Sequence, residues 1–336
     1  MDQTSPSHLQ LLALTAGGRI PEKYRDILER FFASYRAALR RSGMSPGDYD
    51  HLFCGFLDRL REQHETPFTF EPYHRQITDP FDYYTFGVEF LRPLVDQPRS
   101  TLRGVEHLER IAGQLSAREN VIFLANHQTE ADPQAISLLL ERRFPQIGQQ
   151  MIFVAGERVI ADPLAKPFSM GRNLLCIYSK RHIDNPPDQR VRKQLHNKKT
   201  MERMSGLLSE GGHAIYVAPS GGRDRRNADG IVEVAPFDAQ SVEMFYLMSQ
   251  RALRPCHFYP MALATYEFLP PPETVQVELG EPREATRSGI HLAIGAECDM
   301  EGLAGSDVID KKARREARAR AIWAAVSADY RAITAT

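Results

Sequence analysis

The segment Asn126–Pro133, NHQTEADP, holds a histidine and an aspartate five positions apart, directly after the apolar run Val121–Ala125. Ligands of open α/β sheets gather at the carboxyl ends of strands, so a loop following such a run is well placed for a site. If the Asp132 carboxylate accepts the Nδ1 proton of His127, the imidazole tautomer is fixed and Nε2 is left to take a proton from a substrate hydroxyl. This is the His–Asp half of a hydrolase triad, with an acceptor alcohol supplying the oxygen that a serine would. A plainer reading stands beside it. Asp132-Pro133 also has the form of a helix start, aspartate as N-cap and proline at N1, and the spacing alone is common.

Two more loops follow apolar runs: YSKRH (Tyr178–His182) after Leu174–Tyr178, and APSGGRDR (Ala218–Arg225) after His213–Ala218. Arg223 and Arg225 flank Asp224 beyond Gly221-Gly222 and can offer guanidinium forks to a phosphate, with Arg181 and His182 facing them. Either cluster alone fits a solvated turn laced with exposed ion pairs equally well. Three loops at one sheet edge argue for a site. The segment Lys180–Arg203 has eight basic and three acidic residues, a local charge of +5. It suits an acidic carrier protein or anionic lipid headgroups, with an ordinary solvated helix face as the alternative. The basic residues of the last helix, Lys311 to Arg320, read as a charged outer face, with peripheral membrane contact as the alternative.

These loops need a scaffold. Apolar residues recur at helical spacing from Tyr24 to Leu39, ending at Gly43, and again from Leu52 to Leu60 after Ser45-Pro46. A small helical bundle is therefore expected over residues 1–80, with the aromatic stretch around 80–90 as its junction. Over 81–336 short apolar runs alternate with amphipathic segments: strands at Val121–Ala125, Met151–Ala155, Leu174–Tyr178, His213–Ala218 and His257–Ala264, and helices at Pro133–Arg143, Asp188–Ser209 and Asp238–Gln250. The pattern predicts an α/β domain with a mixed, largely parallel sheet flanked by helices. Thr274–Leu279 is expected as a strand nearer an edge, and Asp307–Ala332 as a closing helix.

With 336 residues, 42% apolar, the chain can bury a sizeable core, and its net charge of -1 disfavours a wholesale polyanion binder such as a nucleic-acid protein. Four cysteines without C-x-x-C pairing indicate neither a zinc knuckle nor a disulfide framework, and a reducing compartment fits. Nucleotide-binding glycine loops and H-E-x-x-H are missing, so neither a metal nor a bound cofactor is expected. The longest unbroken apolar run, Ala321–Val326, is far short of a membrane span. The opening residues resemble neither a secretory leader nor an organelle transit peptide, so the expected location is the cytoplasm, or the plastid stroma if a transit peptide was removed.

The quoted loops, with IFVAGERVIADPLAKPFSMGRN (Ile152–Asn173), DPFDYYTFGVEFLRPLVD (Asp79–Asp96) and FYPMALATYEFLPPP (Phe258–Pro272), strongly resemble the soluble, plastid-type glycerol-3-phosphate acyltransferases. The resemblance implies transfer of a fatty acyl group from acyl carrier protein, or from coenzyme A, to the sn-1 hydroxyl of glycerol 3-phosphate, giving lysophosphatidate for phospholipid synthesis. It implies His127 and Asp132 as the catalytic pair and Arg181, His182, Arg223 and Arg225 as phosphate-binding residues. Arg181 stands where the plant pattern usually has lysine, keeping the charge but exchanging a point donor for a planar fork. Backbone N–H groups near the Pro133 helix start are candidate oxyanion donors. An acyltransferase for another phosphorylated alcohol, such as lysophosphatidate, and a non-catalytic acyl-carrier or lipid-headgroup binding module remain alternatives.

Overall fold

The computed structural model describes residues 5–179, 183–272, 280, 282–303, 305 and 307–335. Ten strands are formed among them: β1 (Tyr73–His74), β2 (Thr101–Arg103), β3 (Asn120–Ala125), β4 (Ile152–Ala155), β5 (Asn173–Cys176), β6 (Ala214–Val217), β7 (Arg225–Arg226), β8 (Val232–Glu233), β9 (Cys256–Ala264) and β10 (His291–Ile294). Eight make one sheet in the order β1-β5-β4-β6-β3-β9-β10-β2, and β7 pairs with β8 apart from it. The five central strands, β5-β4-β6-β3-β9, are mutually parallel. β1 and β10 run against their neighbours β5 and β9, and β2 runs with β10. The expected mixed, largely parallel sheet is present, and the predicted strand at Thr274–Leu279 lies outside the described residues.

Every residue of β3 is buried, as a strand covered on both faces requires. Alternate side chains feed two cores. Val121, Phe123, Phe153, Leu174 and Tyr216 pack on one face with Ile111 of the helix Val105–Ser116 and Ile136 of the helix Asp132–Leu140. Ile122, Leu124, Ile152, Leu175 and Ile215 pack on the other with Leu207 of the helix Arg190–Glu210, Phe245 of Ala239–Ser249 and Ile322 of Lys311–Thr334. Gly211 ends the Arg190–Glu210 helix at φ 76°, ψ 161°, where glycine alone avoids strain, and a Cβ there would collide with the Arg118 carbonyl. This turn sends the chain into β6.

The N-terminal part contains α1 (Pro6–Ala16), α2 (Arg25–Arg41) and α3 (Asp50–Glu65), the first of which the periodicity did not reveal. Their interior is aromatic. Tyr35, Phe53 and Phe56 pack around Phe90 of α4 (Tyr83–Leu91), Phe32 packs on Phe53, and the Tyr35 hydroxyl donates to the Phe90 carbonyl at 2.6 Å. This cluster continues through Ala131, Ala135 and Leu138, so the bundle braces the helix that begins at Asp132. A buried polar knot ties α1 to α3: Arg36 contacts Asp50 at 2.7 Å, and Ser7 donates its N–H (2.8 Å) and hydroxyl (2.7 Å) to the same carboxylate.

Candidate active site

The carboxyl ends of the five parallel strands all open on one edge, and the loop after β3 is fixed there almost residue by residue. Asn126 donates to Asp224 at 2.7 Å and to the Leu263 carbonyl at 2.9 Å, and accepts the Leu263 N–H at 2.7 Å. Gln128 accepts the N–H groups of Thr265 (2.7 Å) and Tyr266 (2.9 Å) just past β9. The Asp224 N–H donates to the His127 carbonyl at 2.7 Å. Neighbouring loops therefore hold His127 by its backbone, leaving its ring to be set by side chains.

That ring meets Asp132 at 2.8 Å from Nδ1 to Oδ2. Asp132 is 1% exposed and also accepts from Gln128 N (2.8 Å), Thr129 N (3.2 Å) and the Thr265 hydroxyl (2.6 Å). An ionised carboxylate only accepts, so the proton lies on Nδ1 and Nε2 is the basic atom. The helix-start reading is corrected in its detail. Ala131 is the N-cap, Asp132 is the first helical residue, and its carboxylate turns back to the loop instead of capping the helix ahead. The Gln128 and Thr129 N–H groups are thereby engaged, and the Asp132 N–H donates to the Thr129 carbonyl, so these three near the Pro133 helix start are not open oxyanion donors.

The side chain of His127 is 27% exposed. Burial, the largest influence, pulls its pKa down; the hydrogen bond and charge of Asp132, with help from Glu130, outweigh it and leave the pKa above its ordinary value. Asp224 is fully buried, and that burial lifts its carboxyl to about 6 although Ala235 N, Asn126 and Gln128 all donate to it.

Arg223 and Arg225 emerge on either side of Asp224, beside the His127 backbone. The Arg223 side chain is 8% exposed and ion-pairs with Glu130, whose Oε1 also meets Arg283 at 2.7 Å. Arg225 lies in β7, and its Nη1 donates to the Pro272 carbonyl at 2.8 Å. Arg181 and His182 lie outside the described residues. Both flanks of that segment are anchored, Tyr178 by reciprocal bonds with Asn197 (2.8 and 2.9 Å), and Asn185 by its carbonyl to Lys193 at 2.7 Å.

Sequence reasoning thus singled out His127, Asp132, Arg223 and Arg225, and the first three converge here. It missed Asp224, Glu130 and Arg283. Asp224 looked like a spacer between two arginines, Glu130 like loop filler, and Arg283 reaches Glu130 from a remote segment with no local signal. Lys193 corrects the basic-face expectation: its side chain is 1% exposed, and Nζ pairs with Glu157 at 2.9 Å.

Residues 99–264 match the acyltransferase family model, the class that fits a parallel sheet carrying a histidine–aspartate pair at its strand ends. The chain is 39% identical to a chloroplastic glycerol-3-phosphate acyltransferase of Cucurbita moschata, covering 95% of this chain and 72% of that one. The corresponding proteins of Arabidopsis thaliana and Spinacia oleracea are 38% and 37% identical, covering 93% and 95% of this chain and 69% and 68% of theirs. This chain belongs to the glycerol-3-phosphate acyltransferase family.

Proposed function

We propose that the protein transfers a fatty acyl group from a thioester to the sn-1 hydroxyl of glycerol 3-phosphate, with His127 as general base. The observation that carries this reading is the 2.8 Å contact between His127 Nδ1 and the buried Asp132 carboxylate, beside the arginine-bearing loop after β6. The phosphate dianion is bound by Arg181, His182, Arg223 and Arg225, which requires Arg223 to be shared between Glu130 and substrate and Arg225 between the Pro272 carbonyl and substrate. Binding energy from the phosphate, remote from the reacting atoms, holds the C1 hydroxyl at Nε2. Nε2 takes the proton as the C1 oxygen attacks the thioester carbonyl. The carbon–sulfur bond breaks, the imidazolium returns the proton to the leaving thiolate, and Asp132 remains ionised throughout. The residue pattern calls for neither a metal nor a resident cofactor.

For the donor, we favour an acylated acidic carrier protein over coenzyme A. Val191 and Leu195 are 75% and 52% exposed on the helix Arg190–Glu210, one turn apart, with Arg192, Lys198 and Lys199 exposed around them. An apolar pair ringed by cations suits an acidic helical partner; contact with an anionic membrane is the competing use of that face. No helix among the described residues is long and apolar enough to cross a membrane. The chloroplastic names of the relatives support the plastid stroma over a bacterial cytoplasm as location. The acceptor assignment is tested by initial rates with glycerol 3-phosphate and lysophosphatidate under one donor. Faster transfer to glycerol 3-phosphate is expected, and equal or faster transfer to lysophosphatidate would overturn it.

A further inference from the structure

Glu130 belongs neither to the catalytic pair nor to the basic clusters, yet its carboxylate joins them. Its Oε1 receives both Arg223 and Arg283. It stands three residues after His127 in the same loop, and its charge adds to the raising of the His127 pKa. Its Oε2 is buried and has no hydrogen-bond partner among the described residues. Burial pushes the carboxyl up, but Arg283 and Arg223 reverse this and hold it below its ordinary value, so it is ionised near neutral pH and can only accept.

Leaving a buried charged oxygen without a donor is costly, so an acceptor left this way beside a site calls for a donor from the ligand. Glycerol 3-phosphate carries such a donor at the matching place. Its reacting C1 oxygen and its phosphate are joined through C2, so a carboxylate three residues from the base in sequence and paired with a phosphate-binding arginine is a candidate partner for the C2 hydroxyl.

We propose that Glu130 Oε2 accepts the C2 hydroxyl of glycerol 3-phosphate and that Glu130 is thereby a specificity-determining residue of the acceptor site. This rests on the assignment of His127 as base and Arg223 to the phosphate. The bond holds the C2 oxygen against a carboxylate and away from Nε2, which favours acylation at C1 over C2. It also makes the site reject a phosphorylated alcohol lacking that hydroxyl, because Oε2 would stay buried without a donor.

The test compares kcat/KM for glycerol 3-phosphate and for 3-hydroxypropyl phosphate, which lacks only the C2 hydroxyl, under one acyl donor. Wild type, Glu130→Gln and Glu130→Ala are measured, with folding of each variant checked by circular dichroism. Wild type is expected to prefer glycerol 3-phosphate by roughly 10- to 100-fold, the range of a hydrogen bond to a charged group. In Glu130→Ala the preference should fall to within a few-fold of unity, with Glu130→Gln between. A preference unchanged in both variants, with the two acceptors losing the same factor, would overturn the inference and leave Glu130 as a positioning residue for Arg223. Equal use of the two acceptors by wild type would overturn it without any variant. Failure of wild type to acylate glycerol 3-phosphate would instead overturn the functional reading beneath it.

Discussion

The His127 imidazole is kept basic in a partly buried loop chiefly by one carboxylate. Asp132 counters the burial that would depress His127, and the resulting pKa lies above that of a free imidazole. The base works only when neutral, so kcat/KM should rise with pH as His127 loses its proton, with a midpoint above that of a free imidazole. Asp132→Asn removes the charge that opposes burial; the midpoint should then fall below the wild-type position, and kcat should drop by roughly 100- to 10,000-fold. The pH–rate profiles of the two proteins check both shifts. An unchanged midpoint in Asp132→Asn would show that Asp132 does not act on the base. This pair was legible because both members lie in one loop and their chemistry needs only local geometry. Asp224 was not, since a carboxylate between two arginines looks solvated. Its importance depends on Asn126, Gln128 and Ala235, which reach it only once β3, β6 and β9 lie side by side.

The elements that position these residues were read unevenly from the sequence, for physical reasons. The five parallel strands are continuous apolar runs because both faces of the sheet are covered, and all five were found within a few residues. β1, β2 and β10 have only two to four residues, too few to show an alternation, and they were missed. The helix Val105–Ser116 was missed as well, although it supplies Leu108 and Ile111 to the core. The expected junction around 80–90 proved to be α4, the aromatic centre of the N-terminal cluster. The division at residue 80 is kept as a proposal; the apolar cluster running from α1–α3 into Ala135 and Leu138 supports a bundle that stiffens the Asp132 helix from behind.

At this scale the Arg36–Asp50–Ser7 knot carries the prediction. Arg36→Met strands a buried carboxylate and should cost about 3–5 kcal/mol. Urea unfolding measures that loss, and a cost below 1 kcal/mol would show that the knot is not a determinant of stability. The Asp50 pKa is lowered: burial, the largest influence, opposes this, and the Ser7 hydrogen bonds with Arg36 outweigh it. The stability it contributes is therefore present above the unfolded carboxyl pKa and lost as the pH falls through the lower folded one.

For the whole molecule, a net charge of -1 conceals an uneven distribution. Of the eight basic residues in 180–203, Lys193 is consumed inside the fold, Arg190 pairs with Asp184 at 3.1 Å, and Arg203 pairs with Glu210 at 2.7 Å. Lys198 pairs with Glu202 at 3.8 Å but stays exposed, and with Arg192 and Lys199 it surrounds Val191 and Leu195. Lys198→Glu combined with Lys199→Glu should raise KM for an acyl carrier protein thioester several-fold and flatten its dependence on salt, while KM for an acyl-coenzyme A changes little. Equal changes for both donors, read from KM at two ionic strengths, would remove this face from carrier docking.

The central claim is that one imidazole, aimed by Asp132, removes the proton from a bound glycerol 3-phosphate. His127→Ala tests it most directly, with steady-state acyl transfer and calorimetric titration of glycerol 3-phosphate measured on the same preparation. In the variant kcat is expected to fall by roughly 100- to 10,000-fold, the range for loss of a general base, while glycerol 3-phosphate still binds with near wild-type affinity. A variant that retains wild-type turnover would contradict it.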